Sequence, residues 1–174
     1  VTALTAELMT QGLICESPPA SSTEDPAPEQ KGKPGTRSRS SQNGRGRPKV
    51  LLDLQPDAAI VLGIKITINL LEIALGNFRA YVETSNAYEI KSLDLDGPAL
   101  VETLCDLIDR FFAEQDNHDI ADLAGIGIAV QGIADSNSGE IMWSPALHHR
   151  HIPIAEPLRQ RYGVIVQMTN DANC

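Results

Sequence analysis

The sequence predicts an α/β fold with a small appended N-terminal region, and three features lead there. Three apolar runs follow one another as a meander: AIVLGIKIT (59–67), LLEIALGNF (70–78) and AYVETSNAYEI (80–90). A long run, Leu93 to Gln115, then carries Leu100, Leu104, Leu107, Ile108, Phe111 and Phe112 at helical spacing. Finally, two further apolar runs (123–135 and 164–171) flank a short helical stretch.

Taken in order, residues 1–11 (VTALTAELMTQ) place Val1, Leu4 and Leu8 on one helical face, and Gly12 stands where a C-cap glycine belongs. Leu13, Ile14 and Cys15 read as a short strand. Residues 17–44 hold only Ala20 and Ala27 from the apolar set, too little burial to offset ordering entropy, so disorder is expected there. VLLDL (50–54) resumes a strand. In the α/β part, Asp96 or its neighbours can cap the long helix. LAGIGIAVQGIAD (123–135) reads as a buried strand entering a glycine-containing turn, and GEIMW (139–143) as a short strand. A helix from Ile154 to Tyr162 ends at Gly163, and VIVQMTND (164–171) reads as a last core strand. Three strands, a helix, a strand, a helix and a strand is the order of one half of an actin-like, ribonuclease-H-like ATPase fold.

Charge is unevenly placed. The net charge of -9 divides into about -5 over residues 1–30, about +7 over 31–49 and about -11 over 50–174. Phosphate binding depends on where cations sit, so the middle block points to nucleic acid in spite of the acidic total. Its most compact part is GRGRPK (44–49). Glycine lets a backbone lie deep in a narrow groove, each arginine reaches along the floor, and Pro48 holds an extended path. A·T-rich minor grooves attract such arginines, and the Arg-Gly-Arg-Pro core resembles the AT-hook peptides. A linker with incidental arginines is the plainer alternative. The string's position, just before the second strand of a helix–strand–excursion–strand unit, is how a winged helix-turn-helix ends. Thr2 and Thr5 on the helix, with Arg45, Gly46, Arg47, Pro48 and Lys49 at the wing, are the candidate DNA contacts.

Three cysteines without a C-x-x-C spacing fit a reducing compartment and neither a disulfide framework nor a zinc site. No run is long enough to span a membrane and no signal peptide is visible, so a cytoplasmic location is expected. Both ends read as cut, which suggests a fragment. HHRH (148–151) is a weak metal signal, because adjacent histidines point different ways and no cysteine partner follows; a polar ligand loop is the alternative.

Beyond these local readings, five segments in order resemble the ROK family of repressors and sugar kinases. VTALTAELMTQGLI is similar to the end of the repressors' recognition helix and first wing strand. GRGRPKVLLDLQPDAAIVLGIKI resembles the passage from wing to domain. GIGIAVQGIAD, GEIMWSPAL, then HIPIAEPLRQRYGVIV with TNDAN, match later segments. The resemblance implies a division into 1–54, the end of a winged helix-turn-helix with a disordered wing insertion at 17–44, and 55–174, a truncated N-terminal subdomain of a sugar-binding domain. It implies a repressor of carbohydrate metabolism that binds operator DNA and a sugar or sugar-phosphate effector, as a homodimer or homotetramer when full-length. Gly132, Pro145, His149, Asn170 and Asp171 are then the candidate sugar contacts. The family's zinc cluster would lie beyond residue 174, so no cofactor is expected in this chain.

The family's kinases carry Asp-x-Gly-Gly-Thr/Ser-Lys at the first strand turn, where glycines admit phosphates and the Asp organises Mg²⁺. Here Lys65 stands in place of the Asp, and Thr67 and Ile68 in place of the glycines, which argues against ATP use. Ala146 replaces an asparagine of the usual Ser-Pro-Asn-Leu segment, removing one sugar contact. The competing expectations are an ATP-dependent hexose kinase with a decorated N-terminus, and a fragment with no independent activity.

Overall fold

The computed structural model describes residues 2–17 and 51–173. The chain divides into two compact units, Val1–Leu54 and Gln55–Cys174.

In the first unit, helix α1 (Ala3–Thr10) begins where the Thr2 hydroxyl accepts the Thr5 N–H at 3.4 Å. Strands β1 (Ile14–Ser17) and β2 (Leu51–Leu54) form an antiparallel ribbon, with Ile14 opposite Leu54 and Ser17 opposite Leu51. The Leu13 N–H returns to the Leu8 carbonyl at 3.0 Å, so the helix passes directly into the ribbon. Of the expected apolar helical face, Leu4 is 64% exposed and Leu8 half-buried, and Leu51, Leu52 and Leu54 of the ribbon are exposed. Amphipathic spacing identifies an apolar stripe but cannot supply the surface that buries it. The expected disordered insertion falls, apart from Ser17 in β1, outside the described residues.

The second unit is built on a five-stranded sheet. Strands β3 (Ile60–Thr67), β4 (Leu70–Asn77) and β5 (Val82–Glu89) form the antiparallel meander. Helix α2 (Gly97–Ala113) leads to β6 (Leu123–Val130), parallel to β3. A small sheet of β7 (Ile133–Asp135), β8 (Glu140–Trp143) and β9 (Ile152–Pro153) follows. Helix α3 (Ala155–Tyr162) then returns the chain to β10 (Ile165–Asn170), parallel to β6. The strand order is β10-β6-β3-β4-β5.

Alternation sets the layers. Leu62, Ile64 and Ile66, Leu71, Ile73 and Leu75, Ile126, Ile128 and Val130, and Val166 and Met168 all turn to one face. They share a core with Leu100, Leu104, Ile108 and Phe111 of α2 and Leu158 of α3. On the opposite face the register aligns Gln167, Gly127, Gly63, Ala74 and Ser85 in one row across the sheet, and Thr169, Ala129, Lys65, Glu72 and Ala87 in the next.

The long helix is shorter than its apolar spacing suggests. Residues 92–94 make a separate 3-10 turn, and α2 starts at Gly97 because Asp96 accepts the Ala99 N–H at 2.9 Å and Pro98 favours a helix's first turn. Strands β7 and β9, three and two residues long, were not anticipated as elements.

Helix α3 is fastened at both ends. The Gly139 carbonyl accepts the N–H groups of Ile154 and Ala155 at 3.1 and 3.0 Å. At the other end the Tyr162 hydroxyl donates toward Asp109 Oδ1 at 2.9 Å and toward the Cys105 carbonyl at 3.2 Å, while Arg161 pairs with Asp109 Oδ2. Burial, then the Asp109 hydrogen bond, pushes the Tyr162 phenol well above its ordinary range, so it stays neutral and keeps its proton for donation. Tyr162→Phe is expected to cost about 1 kcal/mol, because Asp109 keeps its arginine. Urea unfolding measures this, and an unchanged midpoint would mean the hydroxyl does not tie α2 to α3.

Candidate functional site

In open sheets with parallel strands, ligands bind beyond the carboxyl ends of those strands. Here β3, β6 and β10 end together: Asn170 lies opposite Val130, Val130 lies opposite Ile66, and the Gln131 N–H reaches the Ile66 carbonyl at 3.0 Å. Three chain segments meet at this edge, each held by side chains.

The first is the exit of β6 through Gln131 and Gly132. Gly132 has φ +138°, and a Cβ built there would stand 2.2 Å from the Trp143 carbonyl oxygen and 2.8 Å from Ser144 Cα. Only a residue without a side chain permits this crossing. The second is the segment after β8. Ser144 is buried; its hydroxyl donates to the Gln131 carbonyl at 2.5 Å and accepts the Ala146 N–H at 3.1 Å. Pro145 is thereby fixed, half-buried, between two buried neighbours. The third is the end of β10, where half-buried Asn170 closes the strand and half-buried Asp171 opens a 3-10 turn. Ser136 joins it to the small sheet, its hydroxyl donating to the Met168 carbonyl at 2.7 Å. Nearby, the N–H of Asn137 and the Ser138 hydroxyl hold the Asp135 carboxyl below its usual range, which keeps this turn's anion charged.

Gly132, Pro145, Asn170 and Asp171 are therefore gathered at one edge. His149 is not tied to them: it stands exposed beyond Leu147, between exposed His148 and Arg150. His151 faces Glu140 at 3.9 Å, and among the described residues no group of three or more His, Cys, Asp or Glu could hold a metal ion. Ala146 is fully buried, so its methyl lies in the core. Spacing gave no sign of Ser144, because its acceptor lies thirteen residues away.

The β3–β4 turn sits at the same end of the sheet. It closes around Ile68 and Asn69, with Asn69 at φ +57°. The Asn69 N–H is bound by the buried Ser92 hydroxyl at 2.9 Å, and the Thr67 hydroxyl donates to the Leu70 carbonyl at 3.3 Å. Lys65 stands exposed on the free face between Ala129 and Glu72.

A concavity of about 850 Å³ lies elsewhere, across the free face of the sheet over Gly63, Ala74, Gly127 and Ala129. Its floor is a broad shelf of small side chains. Lys65, Glu72, Gln167 and Thr169 also line it, and a second set of polar groups lies at the strand ends.

Of the candidate DNA contacts, Arg45, Gly46, Arg47, Pro48 and Lys49 lie outside the described residues. Thr2 and Thr5 are engaged with each other, their hydroxyl oxygens 2.8 Å apart. Among the described residues no helix is long and apolar enough to cross a membrane.

Known proteins share this arrangement. The xylose repressor of Caldicellulosiruptor bescii is 29% identical over 128 residues, covering 74% of this chain and 32% of that protein. The xylose repressor of Bacillus subtilis is 25% identical over 133 residues, 76% of this chain and 33% of that protein. The chain thus spans about a third of the length of these curated relatives. The crystal structure of a ROK family transcriptional regulator, a homologue of the E. coli MLC protein, superposes with a TM-score of 0.66 at 21% identity, covering 97% of this chain and 37% of that one. A ROK family glucokinase from Streptomyces griseus, in complex with glucose and AMPPNP, gives 0.54 at 19% identity over 66% of this chain and 34% of its own. At these identities the solved structures establish the fold. The ROK family model matches residues 72–174, more than half of the sequence. From the meander through the last turn, then, this chain belongs to the ROK family.

Proposed function

We propose that the chain is part of a DNA-binding transcriptional repressor of carbohydrate metabolism, whose effector, a sugar or sugar phosphate, binds at the strand-end edge, and that it does not transfer phosphate. The observation that carries this reading is the β3–β4 turn. Its backbone and hydroxyl groups are directed inward to Ser92 and Leu70, and Lys65 offers a cation where a kinase needs a carboxylate for Mg²⁺. A phosphate-binding loop instead presents free N–H groups and close glycine backbone. The relatives named xylose repressors support the same choice.

In this reading Asn170 and Asp171 hold sugar hydroxyls, the carboxylate as a pure acceptor and the amide as both donor and acceptor. Gly132 and Pro145 shape the wall against which the ring lies, and His149 lines the outer loop. Residues 1–54 supply the end of a winged helix-turn-helix. Thr2 and Thr5 face the major groove, and Arg45, Gly46, Arg47, Pro48 and Lys49 enter the minor groove. The full-length protein acts in the cytoplasm as a homodimer or homotetramer. Effector binding shifts its DNA affinity only so far as the two conformations differ in sugar affinity.

Two assays test this. Replacing both Arg45 and Arg47 by alanine is expected to weaken binding to an A·T-rich duplex and to flatten the plot of log K against log salt by up to about 1.8, about 0.9 for each lost phosphate contact. An unaltered slope removes the string from the interface. A coupled assay with ATP, Mg²⁺ and glucose or xylose is expected to show no turnover. Phosphorylation above background would favour the second reading, a sugar kinase, for which the superposition on the glucokinase is the supporting observation.

A further inference from the structure

Trp143 is the only tryptophan in the chain, and it stands in an unusual place. It closes β8 directly opposite Ile133, the first residue of β7. The two side chains share a face of the small sheet, and both are exposed, Trp143 to 39% and Ile133 to 58%. The register shifts between Ile133 and Ala134, so Ile141 pairs with Ala134 on the other face, where Ile141 is wholly buried. The strand therefore ends on an exposed apolar pair, an indole beside an isoleucine, on the face turned away from Ile141.

That end point is not a remote surface. Ile133 follows Gly132 directly, and the Trp143 carbonyl is the atom Gly132 packs beneath. Ser144, next in the chain, is bonded to the Gln131 carbonyl. The pair is thus fastened to the same two segments that, with Asn170 and Asp171, form the strand-end edge. An aromatic plane and a branched aliphatic chain are thus exposed on the segments that lead into this edge.

A pyranose has matching chemistry. Its hydroxyls project around the rim, while the axial C–H groups of one face form an apolar patch carrying slight positive charge. The indole face is negative in its quadrupole and large in contact area. We propose that the Trp143 indole, flanked by Ile133, is the stacking platform for the apolar face of the ring whose hydroxyls Asn170 and Asp171 hold. This rests on the sugar-effector reading above and narrows it: the ligand is a ring sugar, and an acyclic polyol with the same hydroxyls binds poorly.

Because Trp143 is the sole indole, its emission reports on the platform directly. The chain is titrated with D-xylose, D-glucose and sorbitol, following tryptophan emission and, in parallel, heat by calorimetry. The expected result is a saturable emission change with at least one ring sugar and none with sorbitol. Trp143→Ala is expected to weaken the calorimetric affinity about tenfold, and Trp143→Phe to restore most of it; matching melting curves confirm that both variants fold. Calorimetric binding with unmoved emission and an unimpaired Trp143→Ala overturns the platform and leaves the effector reading standing. No heat from either ring sugar with the unsubstituted chain overturns both.

Discussion

Gly132→Ala is expected to lower the stability of the second unit by about 3 kcal/mol or more. Two costs add. A side chain at φ +138° is held in a backbone region that L-residues avoid, worth about 1–3 kcal/mol. The new methyl would also lie 2.2 Å from the Trp143 carbonyl oxygen and 2.8 Å from Ser144 Cα. Both are backbone atoms, so no rotamer change relieves the overlap, and overpacking of this kind adds about 1–3 kcal/mol. Gly163 provides the internal control. It too has a positive φ, +69°, yet nothing lies within 4 Å of the methyl it would carry; alanine there is expected to cost only the conformational penalty, about 1–2 kcal/mol. Urea unfolding of the two variants side by side gives the comparison. If both shift the midpoint equally, the crossing of the two segments at Gly132 is looser than described. Parting those segments would also displace Pro145, which follows Ser144 directly.

Phe111→Ala comes next in size, at about 3–5 kcal/mol. The ring is wholly buried in α2 and meets Phe112 edge-on, with centroids 5.9 Å apart. Removing it takes a large apolar surface out of the layer between α2 and the sheet and leaves a cavity the neighbours cannot fill. Against a typical domain stability of about 5–15 kcal/mol this is a large fraction, and at 2–8 °C per kcal/mol the melting temperature should fall by roughly 10 °C or more. A shift below about 3 °C would mean that the helix packs less tightly on the sheet than its burial implies.

Much of this architecture is legible in the amino acids because its signals are local. Leu62, Ile64 and Ile66 alternate with Val61, Gly63 and Lys65, which is the signature of a strand covered on one face. Asp96 announces a helix start because a carboxylate that accepts the Ala99 N–H must sit three residues before it. The strands β7 and β9 escape because two or three residues cannot display a period. Trp143 was read only as part of a strand, since exposure depends on where the strand ends relative to the core. At the candidate site, Asn170 and Asp171 stand out as polar residues ending an apolar run. Ser144 does not, because its role comes from a carbonyl brought near by a turn. The leucines of β2 read as an apolar strand, and the ribbon leaves them exposed; composition states what should be covered, never what covers it.

The order of the sheet carries a practical consequence. Its two outer strands are β5 and β10, but the outer edge of β10 is partly covered, since the Met168 carbonyl accepts the Ser136 hydroxyl and the Val166 carbonyl accepts the Arg159 guanidinium, both at 2.7 Å. Strand β5 carries Glu83 and Glu89, charges that discourage a second chain from adding to the edge. Strand β10, IVQMTN, carries no charge, and its first residue, Ile165, is 67% exposed. The Ser136 and Arg159 side chains thus act as a covering for this edge, and a lysine at exposed position 165 would add a gatekeeper charge without entering the core.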